Sequence, residues 1–258
     1  MNDDPLAELV RLSRSLGRPE RDLVVLGEGN TSAIVDGERF VVKASGTSLA
    51  DAAPESFVEL RLQTTLELLD LDSSADEELS EGLTAACTGE GPRPSIEAVM
   101  HALGPSQGGA QLVGHTHPIA VNAILCSARA EALVAGAIFP DQIVVCGREA
   151  LLIPYADPGL PLAHAVREGL REYRGRTGTT PKTVYLRNHG LLALGHSAAE
   201  VDQITTMATK VARILTGVLS LREPVYPSAA QADRIETRPD EHHRRQMFRD
   251  PGGKMLGS

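Results

Sequence analysis

Residues 112–118 have the sequence LVGHTHP, in which a short apolar run leads directly into two histidines that one residue separates. In a β-strand, residues two apart point to the same side of the sheet, so the imidazoles of His115 and His117 can meet at one point. Such a pair on a rigid strand forms two thirds of a typical metal-ligand set. The spacing is also compatible with two polar residues at a strand end, so the rest of the chain has to decide between these interpretations.

The composition indicates an ordinary globular protein with an acidic surface. The 258 residues include 42% hydrophobic and 23% charged residues, and the net charge is −9. This length suits one large domain or two small ones, and the negative charge argues against nucleic-acid binding.

The longest clean apolar run, residues 132–139, is too short to span a membrane, and the acidic N-terminus does not resemble a secretory signal. Three isolated cysteines form no disulfide framework. We therefore expect a cytoplasmic protein.

Apolar periodicity and turn residues predict alternating helices and strands. Helices are predicted over residues 5–16, 57–69, 94–103, 119–126, 129–136, 160–173 and 198–221. Strands are predicted over residues 23–26, 33–35, 40–43, 83–86, 112–117, 143–146, 151–153, 183–187 and 191–195. The acidic segment 70–82 is interpreted as a solvated loop. Interleaved elements of this kind indicate an α/β/α layered domain, which we place at residues 1–227, followed by a polar tail at 228–258.

Two turns rich in Gly, Asn and Ser lie on either side of a predicted hairpin. They have the sequences GEGNTS at residues 27–32 and ASGTS at residues 44–48. Glycines let the backbone approach an anion closely, and exposed N–H groups can hold phosphate oxygens. Ordinary turn chemistry would select the same residues. Neither turn matches a nucleotide-binding fingerprint, so a small phosphorylated metabolite is favoured over a nucleotide.

Two further segments carry residues that can complete a metal site. A predicted strand ends in Asn188-His189-Gly190, and a predicted helix begins with Ser95-Ile96-Glu97. Three histidines with one open position make up the ligand count of a catalytic zinc site, and a nearby carboxylate can transfer protons there. Glu97 can also be a carboxylate that the helix dipole stabilises.

Six short motifs occur along the chain, and together they resemble the class II aldolase/adducin family over about residues 5–222. This family includes the fuculose-1-phosphate and rhamnulose-1-phosphate aldolases and ribulose-5-phosphate 4-epimerase. Segments 42–46, 93–97 and 117–118 look most like the aldolase domain of bifunctional rhamnulose-phosphate aldolase/dehydrogenases. The motifs are Gly29-Asn30-Thr31-Ser32, Ser45-Gly46, Ser95-x-Glu97-x-x-x-His101, His115-Thr116-His117, Pro154-Tyr155-Ala156 with Gly159, and Asn188-His189-Gly190-Leu191-Leu192.

The resemblance implies a fold and a set of residue roles. It implies a single α/β/α domain with a mainly antiparallel central sheet, assembled into a homotetramer. Glu97 would be the proton-transfer residue. Ile96 stands where many members have a second serine, which removes one phosphate-binding hydroxyl and makes a carboxylate- or hydroxyl-bearing substrate the alternative. Zn²⁺ or another divalent metal ion would be held by His115, His117 and His189, and the phosphate by Gly29, Asn30, Ser45, Gly46 and Ser95.

The reaction that the resemblance implies is retro-aldol cleavage of a ketose 1-phosphate by a metal-dependent aldolase. Its products would be an aldehyde and a compound like dihydroxyacetone phosphate. Epimerisation, dehydration or decarboxylation of a sugar phosphate at the same site is the nearest alternative. A non-catalytic adducin-like protein and a metal-binding regulatory module are further alternatives. Loss of catalysis in an adducin-like protein should have removed metal ligands, yet the three histidines and Glu97 are all present.

Overall fold

The computed structural model describes residues 4–71 and 76–239 of the chain. Within these residues, the strands are β1 Asn30–Ile34, β2 Arg39–Lys43, β3 Phe57–Arg61, β4 Leu112–Thr116, β5 Leu151–Ile153, β6 Thr183–Leu186 and β7 Gly190–Gly195. The α-helices are α1 Pro5–Leu16, α2 Leu62–Glu67, α3 Asp76–Ala86, α4 Ala98–Gly108, α5 Ile119–Leu125, α6 Pro140–Cys146, α7 Leu160–Thr177, α8 Ala198–Leu221 and α9 Ala229–Glu236.

The seven strands form one sheet in the order β3-β2-β1-β4-β7-β6-β5. Every neighbouring pair is antiparallel except β5 and β6, which run parallel. β1 and β2 form the predicted hairpin, whose turn contains Asp36-Gly37, and the N–H of Val35 donates to the carbonyl of Arg39 (2.9 Å). The prediction of a mainly antiparallel central sheet is confirmed.

Helices cover both faces of this sheet, which confirms the α/β/α layering. The helices α2, α3, α4 and α7 pack on one face, and α1, α5, α6 and α8 pack on the other. Side chains alternate between these two layers along β4: Leu112 faces α1 and α8, whereas Val113 faces α4. His115, two residues beyond Val113, therefore lies on the side of α4, and the start of α4 can supply a partner for it.

Two predicted elements at the β1 to β3 edge of the sheet are wrong. Residues 23–26 form no strand, because Val25 and Leu26 are exposed and Leu26 has a left-handed φ of 57°. The predicted helix 57–69 begins as β3, which pairs with β2, and becomes helical from Leu62 onward. Pairing with β2 buries Val58 and Leu60 on one face, a long-range gain that local helical spacing does not reveal.

Four further corrections concern segments that are helical. Residues 76–82 of the predicted acidic loop and the predicted strand 83–86 both belong to α3, whose Leu79 and Leu83 face the core at helical spacing. The predicted strand 143–146 lies in α6, which begins at Pro140. The helix predicted over 94–103 begins at Ala98, and it continues past Pro105 because it packs along α7 and β4. At these sites, tertiary packing outweighed the local sequence signals, which were the acidic residues, the short apolar runs and the proline.

The predicted tail contains a short helix in its first part. Ser228 caps α9, and Ala232 of α9 packs against Ala137 and Ile143. The remainder of the tail, residues 240–258, lies outside the described residues, and the domain boundary at 227 stays a prediction. The helix α8 is long and apolar enough to cross a membrane by length and composition, but it is a core helix, since it packs against α1, α5, α6 and β7.

Candidate metal centre and active site

Three histidine side chains converge at one end of the central strands. His115 lies on β4, His117 directly follows β4, and His189 lies in the turn between β6 and β7. Their imidazole nitrogens that can bind a metal lie within 4.8 Å of one another. His115 is fully buried, while His117 and His189 are partly exposed. The structure therefore brings together the three residues that the sequence proposed as metal ligands.

The backbone around His189 is held tightly against β4. Asn188 adopts a left-handed φ of 55°, and the side-chain amide of Asn122 donates to the carbonyl of His189 (2.9 Å). A Cβ atom on Gly190 would lie 2.5 Å from the carbonyl oxygen of Thr116 and 2.6 Å from Cδ2 of His117. Glycine at this position is what allows the strands to approach closely enough for the histidines to meet.

We expect Gly190→Ala to disturb the histidine cluster, since the added methyl group has no room beside Thr116 and His117. Overpacking of this kind costs about 1–3 kcal/mol of unfolding free energy. The melting temperature and the amount of bound divalent metal per chain should both fall. Gly217→Ala is the matched control, because it lies on an exposed turn of α8 with no atom within 4 Å of its new methyl group. It should leave the metal content unchanged; equal metal content in Gly190→Ala would contradict the expectation.

The ring nitrogens of His115 and His117 have the protonation that a bound cation requires. The Nδ1 atom of His115 donates to the carbonyl of Leu191 (3.1 Å), so the neutral ring carries its lone pair on Nε2. That atom faces Nε2 of His117 at 3.0 Å. Burial lowers the pKa of His115 and of His117 to about 4, so both rings are neutral at pH 7. Neutral imidazoles that converge in this way fit zinc, which binds histidine nitrogen at about 2.0–2.1 Å.

Glu97 lies beside these histidines, at the start of α4. Its Oε1 atom is 3.2 Å from Nε2 of His189, and its Oε2 atom is 3.6 Å from Nε2 of His115. The side-chain amide of Asn30 donates to Oε2 (2.6 Å). Burial raises the pKa of Glu97, but attraction to His115 and the hydrogen bond with His189 outweigh burial and lower this pKa to about 2. Glu97 therefore presents an ionised carboxylate at pH 7, next to the position that a metal would occupy.

The three segments predicted to bind phosphate adjoin one another. An isolated β-bridge links Ala44 to Pro94, and the N–H of Ser45 donates to the carbonyl of Arg93 (2.9 Å). A Cβ atom on Gly27 would contact Gly46 at 3.8 Å, which brings the first turn against the second. The turn residues Ser45 and Gly46 are exposed, Ser95 is largely buried, and Gly29 has a left-handed φ of 73°.

One predicted phosphate ligand has a second partner. Asn30 lies in β1 opposite His115, not in a turn as predicted, and its amide is engaged by Glu97. The roles of all five predicted phosphate-binding residues stay predictions.

Lys43 is a residue of this region that the sequence reasoning did not single out as a site residue. Its side chain is 1% exposed, and its ammonium group donates to the carbonyl oxygens of Ala44 (3.2 Å) and Thr47 (2.6 Å). Lys43 thereby holds the Ser45–Gly46 turn from both ends. Among the described residues, no carboxylate lies within 4 Å of this ammonium group. A lysine next to a turn of the ASGTS type, at the end of an otherwise apolar strand, is the sequence signal that could have identified it.

Comparison with known families matches residues 7–216 to the family described as Class II Aldolase and Adducin N-terminal domain. The chain belongs to this family. The match extends over the whole sheet, over the three histidines and over Glu97. A cluster of three histidines that can hold a metal ion is therefore found in a chain of the class II aldolase superfamily.

Proteins that are similar to this chain carry different names. The uncharacterized oxidoreductase YuxG of Bacillus subtilis is 28% identical over 207 residues, which are 77% of this chain but 27% of that protein. The 3-oxo-tetronate 4-phosphate decarboxylase of Haemophilus influenzae is 26% identical over 80% of this chain and 84% of its own length. The structure of an L-fuculose 1-phosphate aldolase shares the fold, with a TM-score of 0.68 and 20% identity over 92% of this chain and 96% of its own. The chain thus spans about a quarter of YuxG, and these activities belong to the proteins so named.

Proposed function

We propose that this protein is a metal-dependent aldolase that cleaves a ketose 1-phosphate into an aldehyde and a product like dihydroxyacetone phosphate. The observation that carries the proposal is the position of the Glu97 carboxylate, which lies within 3.6 Å of both His115 and His189 and next to a cluster that can hold a metal. The most direct test is product analysis with a panel of ketose phosphates. Release of a three-carbon ketone phosphate supports the proposal, and its absence for every substrate contradicts it.

In this proposal, His115, His117 and His189 hold Zn²⁺ or another divalent cation. When bound, the cation supplies Lewis acidity to the oxygens of the substrate and stabilises negative charge that develops on them. The imidazoles of His115 and His117 contribute neutral nitrogen donors, because burial lowers the pKa of both rings to about 4. The choice of zinc rests on the all-nitrogen donor set, which suits zinc better than magnesium or calcium.

Glu97 is proposed to transfer a proton to the substrate carbon that keeps the electron pair after the carbon–carbon bond breaks. Since its pKa is about 2, the carboxylate is ionised in the resting site and accepts a proton before it delivers one to carbon. The hydroxyl group that becomes the aldehyde loses one proton in the same reaction, so one proton is released for each proton that carbon gains. The Asn30 amide holds the carboxylate in position by its 2.6 Å hydrogen bond.

The phosphate group of the substrate is proposed to bind at Gly29, Asn30, Ser45, Gly46 and Ser95, with Lys43 as the source of positive charge. A buried ammonium group that has only neutral oxygen partners is stabilised when an anion binds nearby. Ser95 lies shortly before α4, and the positive end of the helix dipole favours an anion there. Ile96, 41% exposed, presents an apolar side chain where a hydroxyl would otherwise reach the phosphate.

We expect Lys43→Met to lose most of the preference for a phosphorylated substrate. The kcat/KM for a ketose 1-phosphate should fall about 10–100-fold, the range that a charge-assisted hydrogen bond of roughly 1.5–3 kcal/mol implies. The kcat/KM for the unphosphorylated ketose should change little. Lys210→Met, on the exposed face of α8, removes the same charge and should behave like the wild type. Equal losses on both substrates, or a wild type without a preference for phosphate, would contradict the phosphate assignment.

Decarboxylation of a sugar-acid phosphate is the second candidate function. The decarboxylase from Haemophilus influenzae covers 80% of this chain and 84% of its own length, which supports a shared domain architecture. The same site could stabilise negative charge after carbon dioxide leaves, with Glu97 as the proton donor to carbon. Release of carbon dioxide from a 3-oxo acid phosphate, without cleavage of ketose phosphates, would favour this reaction over aldol cleavage. A homotetramer and a cytoplasmic location stay predictions.

A further inference from the structure

The loop that precedes the first glycine-rich turn is held in a strained conformation against His117. Asp22 and Leu26 have φ angles of 55° and 57°, in the left-handed region that residues other than glycine rarely adopt. Two hydrogen bonds fix the loop to the segment that contains His117. The N–H of His117 donates to the carbonyl of Leu23 (2.8 Å), and the N–H of Ile119 donates to the carbonyl of Asp22 (3.1 Å). A strained loop that is bonded to a metal-ligand segment points to a positioning role.

The glycine-rich turn that follows this loop carries Glu28, whose side chain faces Nδ1 of the His117 ring. The Oε2 atom of Glu28 accepts the N–H of Val25 (2.9 Å), and the N–H of Glu28 donates to the carbonyl of Val25 (3.1 Å). The same Oε2 atom lies 3.6 Å from Nδ1 of His117. The carboxylate is therefore anchored to the loop through Val25 and lies next to Nδ1 of His117, while Nε2 of that ring faces His115.

The two nitrogens of the His117 ring have opposite surroundings. Nε2 faces Nε2 of His115 at 3.0 Å, inside the proposed metal centre, and Nδ1 faces the Glu28 carboxylate. A carboxylate beside Nδ1 stabilises the tautomer that carries its proton there, so the lone pair is on Nε2. In His115 the carbonyl of Leu191 has the same effect on Nδ1. Each ring thus has an oxygen acceptor beside Nδ1, the Leu191 carbonyl at 3.1 Å for His115 and the Glu28 carboxylate at 3.6 Å for His117.

We propose that Glu28 is a positioning residue of the metal centre, which orients His117 and fixes its tautomer, and that it thereby raises the affinity of the site for a divalent cation. The inference rests on the proposed metal centre and is independent of which carbon–carbon chemistry the site performs. It assigns a function to a carboxylate that the proposed reaction does not use.

The test is the affinity for Zn²⁺, measured by competition with a chromophoric chelator. We expect Glu28→Gln to bind Zn²⁺ about 10–100-fold more weakly than the wild type, the usual loss when an outer partner of a metal-bound histidine is removed. Glu28→Asp keeps the charge but shortens the reach, and it should also bind more weakly. Glu20→Gln removes one negative charge from an exposed position outside the proposed site and should bind like the wild type.

A double-mutant cycle separates positioning from a general effect on stability. If Glu28 acts through His117, Glu28→Gln should have no further effect on Zn²⁺ affinity in a His117→Ala background. Melting temperatures of the metal-free proteins check that each variant is folded. Wild-type affinity in Glu28→Gln or in Glu28→Asp, or an equal loss in both backgrounds, would overturn the inference. Because the readout is metal affinity, a wild type that cleaves no ketose phosphate contradicts the proposed reaction and leaves this result valid.

Discussion

Replacing His117 by alanine is expected to weaken metal binding so far that the purified variant retains little metal and, with it, little turnover. The wild type should hold about one divalent ion per chain, since three imidazole donors converge within 4.8 Å. Removal of one donor should weaken binding by more than the roughly 10–100-fold that loss of an outer partner costs. The side chain of His117 is 22% exposed, so the variant should fold. Elemental analysis of both purified proteins measures the effect directly.

The control for this experiment is a histidine outside the cluster. His196 is exposed, and the hydrogen bond of that residue to Glu200 comes from its backbone N–H. His196→Ala should therefore keep the wild-type metal content and activity. Near-stoichiometric metal in His117→Ala would remove this histidine from the ligand set. Return of activity when Zn²⁺ is added to chelator-treated wild type, but not to His117→Ala, would tie the loss to the metal.

Glu97→Gln should fold and retain the metal but lose the chemical step. The swap is nearly isosteric, and the amide oxygen can still accept the hydrogen bond from Asn30. Removal of a group that transfers a proton in the reaction typically costs about 10²–10⁴-fold in kcat. The same variant should stop exchange of carbon-bound hydrogen of dihydroxyacetone phosphate with solvent deuterium, a partial reaction that needs only the proton step.

The metal content and the exchange rate together decide the role of Glu97. A variant that keeps its metal yet loses both exchange and cleavage supports proton transfer by this carboxylate. A variant that loses its metal would assign Glu97 to the ligand set, since its carboxylate lies within 3.6 Å of two histidines. Unaltered turnover would exclude it from the mechanism. Glu20→Gln again serves as a control for the loss of one negative charge.

The sequence by itself determined the layered fold class, most of the helices and strands, and the residue types of the proposed metal centre. These features depend on short-range patterns, such as the period-2 spacing of His115 and His117 and the capping of α8 by Ser197. Strands such as β4 and β7 were predicted closely because both sides of them are buried. The motif order also identified the family, which the match to residues 7–216 bears out.

Tertiary structure decided the elements whose local signals are ambiguous. Residues 57–61 became a strand because β2 offers hydrogen bonds to them, and residues 143–146 became helical because α8 and α9 cover that segment. The burial of Lys43 and the contact of Glu28 with His117 depend on residues that meet only after folding. The affinity and protonation of such groups follow from desolvation and from distances between segments far apart in the chain, and no spacing along the sequence encodes those distances.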